Sequence, residues 1–516
     1  MISTATSAAR LAVTRHAPIA GQQLRTRYRS PCSLSRWSST SSYSSSDSPT
    51  CSTDLIDELE HRGLVATLTS RALRSHLSTG PRTVYSGVDP SADSLHVGNL
   101  LPLLTLAHFA RFNHNPIVLV GGATGSIGDP SGRSSERNAL DKETLEGNVE
   151  AIKAQLRRFF DNVQQWYRSE EGYQRKAGSG GERGVELGMG VRMMNNYDWM
   201  SGISLLDFLG GVGRHARLTH MLARDSVASR LTPASTTGGA GGMSYTEFSY
   251  QLLQAYDFSL LHSAHGCTVQ VGGSDQLGNI TAGIDLIRRL SPSGLTDDPA
   301  YGLTLPLLTT HTGEKFGKSA GNAVWLSADK TSDWSFYQFF LRTTDQDVVR
   351  YLRCLTLLPA QHIDDVLRVH SEAPRLRHAQ QTLAMHMTRL IRGTPAADKC
   401  RALAQVLFSH TSSDDPPAAA KHALSQIDTA SLGAEGLLAS LPREHVVGAD
   451  LTKVVVAAGL VKSRAEAKRL LQSGGLYVNN VQVQSAGAAV RAEDLVHARM
   501  CLLRAGKSAV KVVVVE

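Results

Sequence analysis

"RTVYSGVDPSADSLHVGNLLPL", residues 82–103, decides the fold. Its first half alternates with the period of a β-strand, turning Val84 and Val88 toward a core and placing Tyr85, Gly87 and Asp89 on the opposite face. A turn and a helical segment follow. The same succession recurs after "NPIVLVGG" (115–122) and "CTVQVGG" (267–273), each a short apolar run closed by glycines. This is the rhythm of a parallel α/β sheet. Ligands of such sheets bind beyond the carboxyl ends of the strands, so the residues just after these runs are the candidates for function.

At the end of the first run a phenol and a carboxylate flank a bare glycine, which suits a small ligand lying on the backbone with Asp89 near an ammonium. Asp93 or Ser94 can then cap a helix beginning near Leu95, whose first turn carries His96 and Asn99 on one side with Gly98 between them. Helix N-termini favour phosphate oxygens, and Gly98 lets a flat base approach the backbone. Pro102 should bend such a helix. In "SYTEFSYQLLQAYDFSLL" (244–261), Ser244 and Glu247 have capping-box spacing, and Tyr250, Gln254 and Asp257 follow at i, i+4 and i+7. One helical face thus carries a phenol, an amide and a carboxylate. After "CTVQVGG", Asp275 and Gln276 sit on a turn where a carboxylate can accept hydrogen bonds from ribose hydroxyls, while Gln270 points from the strand. "GGATGSIGDPSGR" (121–133) contains no G-x-G-x-x-G and reads as a turn.

"HTGEKFGKSAG" (311–321) resembles a phosphate-binding P-loop but misses its spacing: the required glycine falls on Thr312, and Gly313 is one residue too close. What remains is a pair of lysines, Lys315 and Lys318, around Gly317, followed by Ser319.

A chain of 516 residues, 41% hydrophobic and 19% charged, has room for two to four domains, and no apolar run is long enough to suggest a membrane span. The net charge of +7 is concentrated at the start. Residues 1–50 hold Arg10, Arg15, Arg25, Arg27, Arg29 and Arg36 against one acid, Asp47; without them the excess of the 53 basic over the 46 acidic side chains shrinks to about +2. A nucleic-acid partner must therefore be argued from local patches. The arginine-rich, acid-poor start with its serine run matches a transit peptide, and import into mitochondria is expected. Six cysteines occur without a C-x-x-C pair, indicating neither a zinc cluster nor a disulfide framework. The stretches "GYQRKAGSGGERGVELGMG" (172–190) and "TPASTTGGAGGM" (232–243) read as surface insertions. The final unit, "LTKVVVAAGLVKSRAEAKRLLQSGGLYVNNVQVQ" (451–484), pairs Ser463 with Glu466 ahead of a basic helix and predicts a hairpin turning at Asn479-Asn480.

Taken together, these segments resemble a known family. "HVGN" is similar to the HIGH signature and "KFGKS" to the KMSKS signature of class I aminoacyl-tRNA synthetases. "YSGVDPSADSLH", "GGATGSIGDPSG", "SYTEFSYQLLQAYDF" and "VGGSDQLGN" resemble, in the same order, tyrosyl-tRNA synthetases of the bacterial and organellar kind over roughly residues 60 to 340. The last unit resembles the αL RNA-binding motif. The resemblance implies that Tyr85 and Asp257 meet the hydroxyl of a tyrosine substrate beside Gly87, and that Tyr250, Gln254, Asp89 and Gln270 surround its ammonium. It implies that Gly98, Gly273, Asp275 and Gln276 line the adenosine side, with Ser91, His96 and Asn99 at phosphates and ribose. Lys315, Lys318 and Ser319 would form a mobile phosphate loop, Lys318 also counting among the ATP-binding residues. Lys462, Arg464, Lys468 and Arg469 would meet RNA. Asn99 stands where HIGH has its second histidine, Leu277 replaces an expected tryptophan, and Arg133 replaces a lysine.

The expectation is an α/β fold: residues 1–48 a transit peptide, 49–343 a Rossmann-like parallel-sheet catalytic domain, 344–445 an α-helical anticodon-side domain, and 446–516 a small C-terminal α+β RNA-binding domain of αL type. The implied function is a tyrosine–tRNA ligase of the mitochondrial matrix. It would use L-tyrosine, ATP with Mg²⁺ and tRNA(Tyr), act as a homodimer away from membranes, and hold no tightly bound protein metal. The rivals are a tryptophan-specific relative, which has no use for a Tyr85 and Asp257 pair aimed at a phenol, and an RNA-binding intron-splicing helper on the same fold.

Overall fold

The computed structural model describes residues 54–516 except 132–139, 170–189, 232–242, 292–298, 320–321, 409–420, 422–423, 425–431, 434, 486 and 507–508. The segment read as a transit peptide, Arg133 and nearly all of the two glycine-rich stretches lie outside the described residues.

Strands β1 (Thr67–Leu68), β2 (Thr83–Val88), β3 (Asn115–Val120), β4 (Arg192–Asn195), β5 (Cys267–Gly273) and β6 (Tyr301–Leu305) form one sheet in the order β1-β6-β5-β2-β3-β4. All neighbours run parallel except β1, which is antiparallel to β6. The chain leaves β2 toward β3 and β4 and later returns to its other side with β5 and β6. Tyr85 therefore faces Ile117 on one neighbour and Gln270 on the other. This reversal is the switch point of an open α/β sheet, where a crevice opens beyond the strand ends.

The alternation read from the first strand holds across the sheet. Val84, Val88, Val118, Val120, Val269 and Val271 share a core with the Leu100–Arg111 helix. Tyr85, Ile117 and Leu119 pack on the other face against Phe258, Ile280 and Ile284 of the Tyr245–His265 and Leu277–Leu290 helices. Strand β4 has no counterpart in the sequence reading, because four residues placed directly after a glycine-rich stretch are too short for a periodic signal.

The helix expected near Leu95 starts later. His96 is extended, at φ −123°, and caps a 3₁₀ turn over Val97–Asn99, from which the Leu100–Arg111 helix continues. The reason is tertiary: Val97 N–H donates to Val324 O and Leu326 N–H to Leu95 O, so residues 95–97 are held in a short ladder. Pro102 then falls in the first turn of the α-helix, where proline is well tolerated.

The helical region comprises Asp333–Leu341, Asp345–Leu355, Ala360–Glu372, His378–Arg392 and Thr394–Phe408. In its first helix Trp334, Phe336, Tyr337 and Phe340 are buried. The terminal sheet, β9 (Leu438–Leu441), β10 (Leu476–Val478), β11 (Val481–Val483), β12 (Met500–Ala505) and β13 (Ala509–Val515), has the order β11-β10-β12-β13-β9. Its first strand, β9, pairs parallel to the last, β13. One face, with Cys501, Leu503 and Val513, packs on the Leu451–Ala457 and Arg464–Gln472 helices; the alternate residues Leu502, Val512 and Val514 join the main core. Asn479 and Asn480, at φ 47° and 65°, make the expected tight hairpin turn.

Candidate functional site

The carboxyl ends of β2, β3, β5 and β6 open on a cleft of about 380 Å³. Tyr85, Gly87, Asp89, Ser91, His96, Gly98, Asn99, Tyr250, Gln254, Asp257, Gln270, Gly273, Asp275 and Gln276 all line it. Residues drawn from segments almost two hundred positions apart are thus brought together by strand order and by one helical face.

A continuous chain of hydrogen bonds crosses the cleft. Tyr250 donates its hydroxyl to Asp89 Oδ2 at 2.9 Å, and Thr124 Oγ1 donates to Asp89 Oδ1 at 3.0 Å. Asn196 Nδ2 lies 3.0 Å from both Thr124 Oγ1 and Asp257 Oδ2, and Trp199 Nε1 donates to Asp257 Oδ1 at 2.8 Å. Burial pushes the Asp257 carboxyl up to about 7; the Asn196 and Trp199 donors oppose the rise, and the nearby Asp89 charge adds to it. Burial likewise lifts the Tyr85 and Tyr250 phenols well above the ordinary tyrosine range, with Asp257 and Asp89 respectively adding to the effect.

Among the described residues, four that line the cleft carry a buried polar atom without a hydrogen-bond partner: Tyr85 Oη, Ser86 Oγ, Gln254 Oε1 and Gln270 Oε1. Buried polar groups are nearly always paired, and an unmade bond costs about 1–3 kcal/mol. Their convergence on one cleft marks a place built for a polar ligand.

On the other wall Gln276 is a hub. It accepts from Gln254 Nε2 and Asn279 Nδ2, both at 3.2 Å, and donates to Asp129 Oδ2 at 2.6 Å. Asp275 is raised by burial and by Asp129, while the Lys315 ammonium pulls the other way. Gly98 N–H donates to His96 Nδ1 and His96 N–H to Asn99 Oδ1, both at 3.0 Å. The first bond puts the proton of a neutral His96 on Nε2. The second occupies the oxygen of Asn99, so its Nδ2 is the group that can donate to a phosphate or ribose.

The lysine loop leaves directly from this wall. Phe316 N–H donates to Leu308 O at 2.9 Å, and Lys315 forms an isolated bridge with Thr309. Lys315 is exposed and outside the cleft lining. Lys318–Ser319 (β7) pairs with Asn322–Ala323 (β8) as a hairpin; for Lys318 and Ser319 the backbone alone is described. Gly317, at φ 77°, lies against Val97, where an added Cβ would overlap the valine methyl. The two signature segments are therefore in contact.

Thr124, Asp129, Asn196 and Trp199 were missed by sequence reasoning. The turn "GGATGSIGDPSG" was assigned no chemistry, although Gly121 leaves room for the Asp89 carboxylate and Thr124 hydroxyl against its backbone. "NNYDW" (195–199) follows β4, and recognising that strand would have exposed it as a strand-end segment. In the terminal unit, Ser463 Oγ accepts from Glu466 N–H at 3.3 Å and Glu466 Oε2 from Lys462 N–H at 3.0 Å, fixing the start of the basic helix. Lys462, Arg464, Lys468 and Arg469 are exposed.

Residues 77–409 match the family model described as tRNA synthetases class I (W and Y), and residues 435–513 match the tyrosine–tRNA ligase SYY-like C-terminal domain. The chain is 41% identical to the tyrosine–tRNA ligase of Roseiflexus castenholzii and 39% identical to that of Geobacillus stearothermophilus, in each case over 88% of this chain and 98% of the relative. Among solved structures it is similar to a C-terminally truncated mitochondrial tyrosyl-tRNA synthetase of Aspergillus nidulans, with 34% identity and a TM-score of 0.60 over 69% of this chain and 94% of that one.

Proposed function

Because this chain belongs to the tyrosine–tRNA ligases, within the class I tRNA synthetases, we propose how its cleft divides the work of joining tyrosine to tRNA at the expense of ATP. Tyrosine lies along Tyr85, Gly87, Asp257 and Gln270. Tyr85 and Asp257 meet its phenolic hydroxyl, while Asp89, Tyr250, Gln254 and Gln270 hold its ammonium. The observation that carries this reading is the set of unpaired buried atoms, Tyr85 Oη, Gln254 Oε1 and Gln270 Oε1, beside two carboxylates. An ammonium donates to the amide oxygens, and a phenol satisfies Tyr85. Phenylalanine would leave such groups unpaired, which penalises it.

ATP lies against Ser91, Gly98, Gly273, Asp275 and Gln276, with His96, Asn99, Lys315, Lys318 and Ser319 at its phosphates. The tyrosine carboxylate oxygen attacks the α-phosphorus, the bond to the bridging oxygen breaks, and pyrophosphate leaves with the electron pair. The adenylate is then attacked by a terminal ribose hydroxyl of tRNA, releasing AMP. Since no side chain forms a bond, this chain's residues act by positioning two reactants and stabilising the charge that grows on the leaving phosphates. Mg²⁺ enters with ATP as part of the nucleotide substrate; among the described residues no group of three or more His, Cys, Asp or Glu side chains could hold a metal.

The exposed basic helix of the terminal unit meets tRNA(Tyr) phosphates. The arginine-rich start supports delivery to the mitochondrial matrix, and likeness to a fungal mitochondrial enzyme favours it. The catalytic region through β6 and the lysine loop, the helical region and the terminal unit act as three domains. A homodimer forms through the Leu205–Gly211 and Leu218–Leu222 helices, where Leu205 and Leu206 are 70% and 80% exposed.

Pyrophosphate exchange with tyrosine, tryptophan or phenylalanine tests the substrate reading. Tyrosine alone should support exchange; exchange with tryptophan alone would overturn the assignment.

A further inference from the structure

Arg392 ends the His378–Arg392 helix with its side chain 2% exposed, packed against the Asp333–Leu341 helix. Its guanidinium donates to four carbonyls of one short segment: Trp325 at 3.3 Å, Leu326, Ser327 at 3.0 Å and Thr331 at 2.7 Å. Nε lies 3.3 Å from Asp333 Oδ1, and the plane sits over the Phe336 ring at 5.0 Å. A planar fork with five donors can hold several carbonyls at once; an ammonium cannot do so in the same geometry.

The segment gripped in this way is the partner of both signature regions. Val97 N–H donates to Val324 O, Leu326 N–H to Leu95 O, and Ser327 N–H to Ser94 Oγ. Val324 N–H in turn donates to Gly317 O, the glycine between the two lysines. The His96 ring meets Trp325 edge-on at 6.1 Å. Residues 324–327 are therefore clamped between Arg392 on one side and Ser94–Val97 on the other, with the lysine loop hanging from their start. A shift of this strand must move His96 and Gly317 together.

We propose that Arg392 is a positioning residue for adenylate formation: from the helical region it sets the register of residues 324–327 and thereby the placement of His96 and of the lysine loop at the ATP phosphates. Among the described residues, none of the hydrogen-bond, ion-pair and ring partners of Arg392 lines the cleft, so its effect falls on the ATP half and spares the tyrosine half. The inference rests on the reading of His96, Lys315 and Lys318 as the phosphate site.

The test is Arg392→Lys, which keeps the charge beside Asp333 and loses the fork. Thermal unfolding and equilibrium tyrosine binding should stay near those of the parent chain. The single-turnover rate of adenylate formation should fall on the order of 10²-fold, the scale of a 1 Å misplacement. If Arg392→Lys fails to fold, Ser94→Ala, which removes the acceptor on the opposite side of the same strand, should show the same split with a smaller loss. An unchanged adenylation rate, or a loss of tyrosine affinity in parallel with the rate, overturns the proposal. Lys318→Ala run alongside separates the two levels: a normal rate there sinks the phosphate-site reading itself, whereas a slow Lys318→Ala with a normal Arg392→Lys sinks only the role of Arg392.

Discussion

Asp257 is buried at the end of a hydrogen-bond chain and its carboxyl titrates near 7, against an ordinary value of about 4. The folded chain therefore holds this proton more tightly than the unfolded one. The stability that this group contributes is complete below about pH 4 and is lost as pH rises through 7. Asp257→Asn should remove that loss, so the variant's unfolding temperature in the ligand-free state should fall less between pH 5 and 8.5 than the parent's. Identical pH profiles would show that Asp257 does not titrate in this range. Asp257→Ala should weaken the discrimination between tyrosine and phenylalanine roughly 10-fold or more, the weight of one buried hydrogen bond to a charged group. Exchange assays with both amino acids measure it, and unchanged selectivity would refute the contact. At this scale the sequence was a good guide to type and a poor guide to partners. Tyr250, Gln254 and Asp257 were legible from helical spacing, but the donors that fix Asp257, Asn196 and Trp199, come from a segment with no pattern of its own.

The lysine loop is a hairpin tied at its base. Phe316 is buried against Phe339, Phe340 and Tyr351, with its ring centroid 4.6 Å from that of Tyr351, and His311 Nδ1 lies 2.8 Å from Asp347 Oδ2. The base is thus anchored to the helical region while Lys315 remains exposed. This suits a group that binds more strongly once charge has moved to the leaving pyrophosphate. Lys318→Ala should accordingly lose adenylate formation far more than tyrosine binding, as read by single-turnover rates against equilibrium titration; equal losses would mean that the loop has another task. The basic helix buries Ala467 and Leu471 in the terminal unit and leaves its charged side chains exposed. Replacing Lys468 and Arg469 by alanine should weaken tRNA binding, flatten its salt dependence by about one unit of slope per lost phosphate contact, and leave pyrophosphate exchange intact. A tRNA affinity with the parent's salt slope would remove these side chains from the interface.

At the scale of the whole molecule, the leucines of the Leu205–Gly211 and Leu218–Leu222 helices lie exposed, and apolar faces of this kind are ordinarily covered. Leu206→Asp should shift the sedimentation of the chain from dimer to monomer. A parent chain that sediments as a monomer at micromolar concentration would exclude the proposed interface. The terminal sheet shows how the parts are joined: its alternate residues Leu502, Val512 and Val514 share the main core, while Glu435 accepts from Trp334 N–H at 3.0 Å and lies 3.3 Å from Lys399 Nζ.

The sequence by itself determined the parallel sheet, the shared face of Tyr250, Gln254 and Asp257, the basic helix and the Asn-Asn hairpin, because each of these is written in local periodicity or turn chemistry. Only the tertiary structure decided where the helix after His96 begins, that β4 exists, and that β9 joins the terminal sheet. In each case the deciding hydrogen bonds come from residues distant in the chain: Val324 and Leu326 for the first, β3 for the second, β13 for the third. The same holds for the placement of the lysine loop against Val97 and for the grip of Arg392 on Trp325 to Thr331. Strand order and long-range pairing carry no local signature, so spacing alone cannot reveal which distant segment will complete a site.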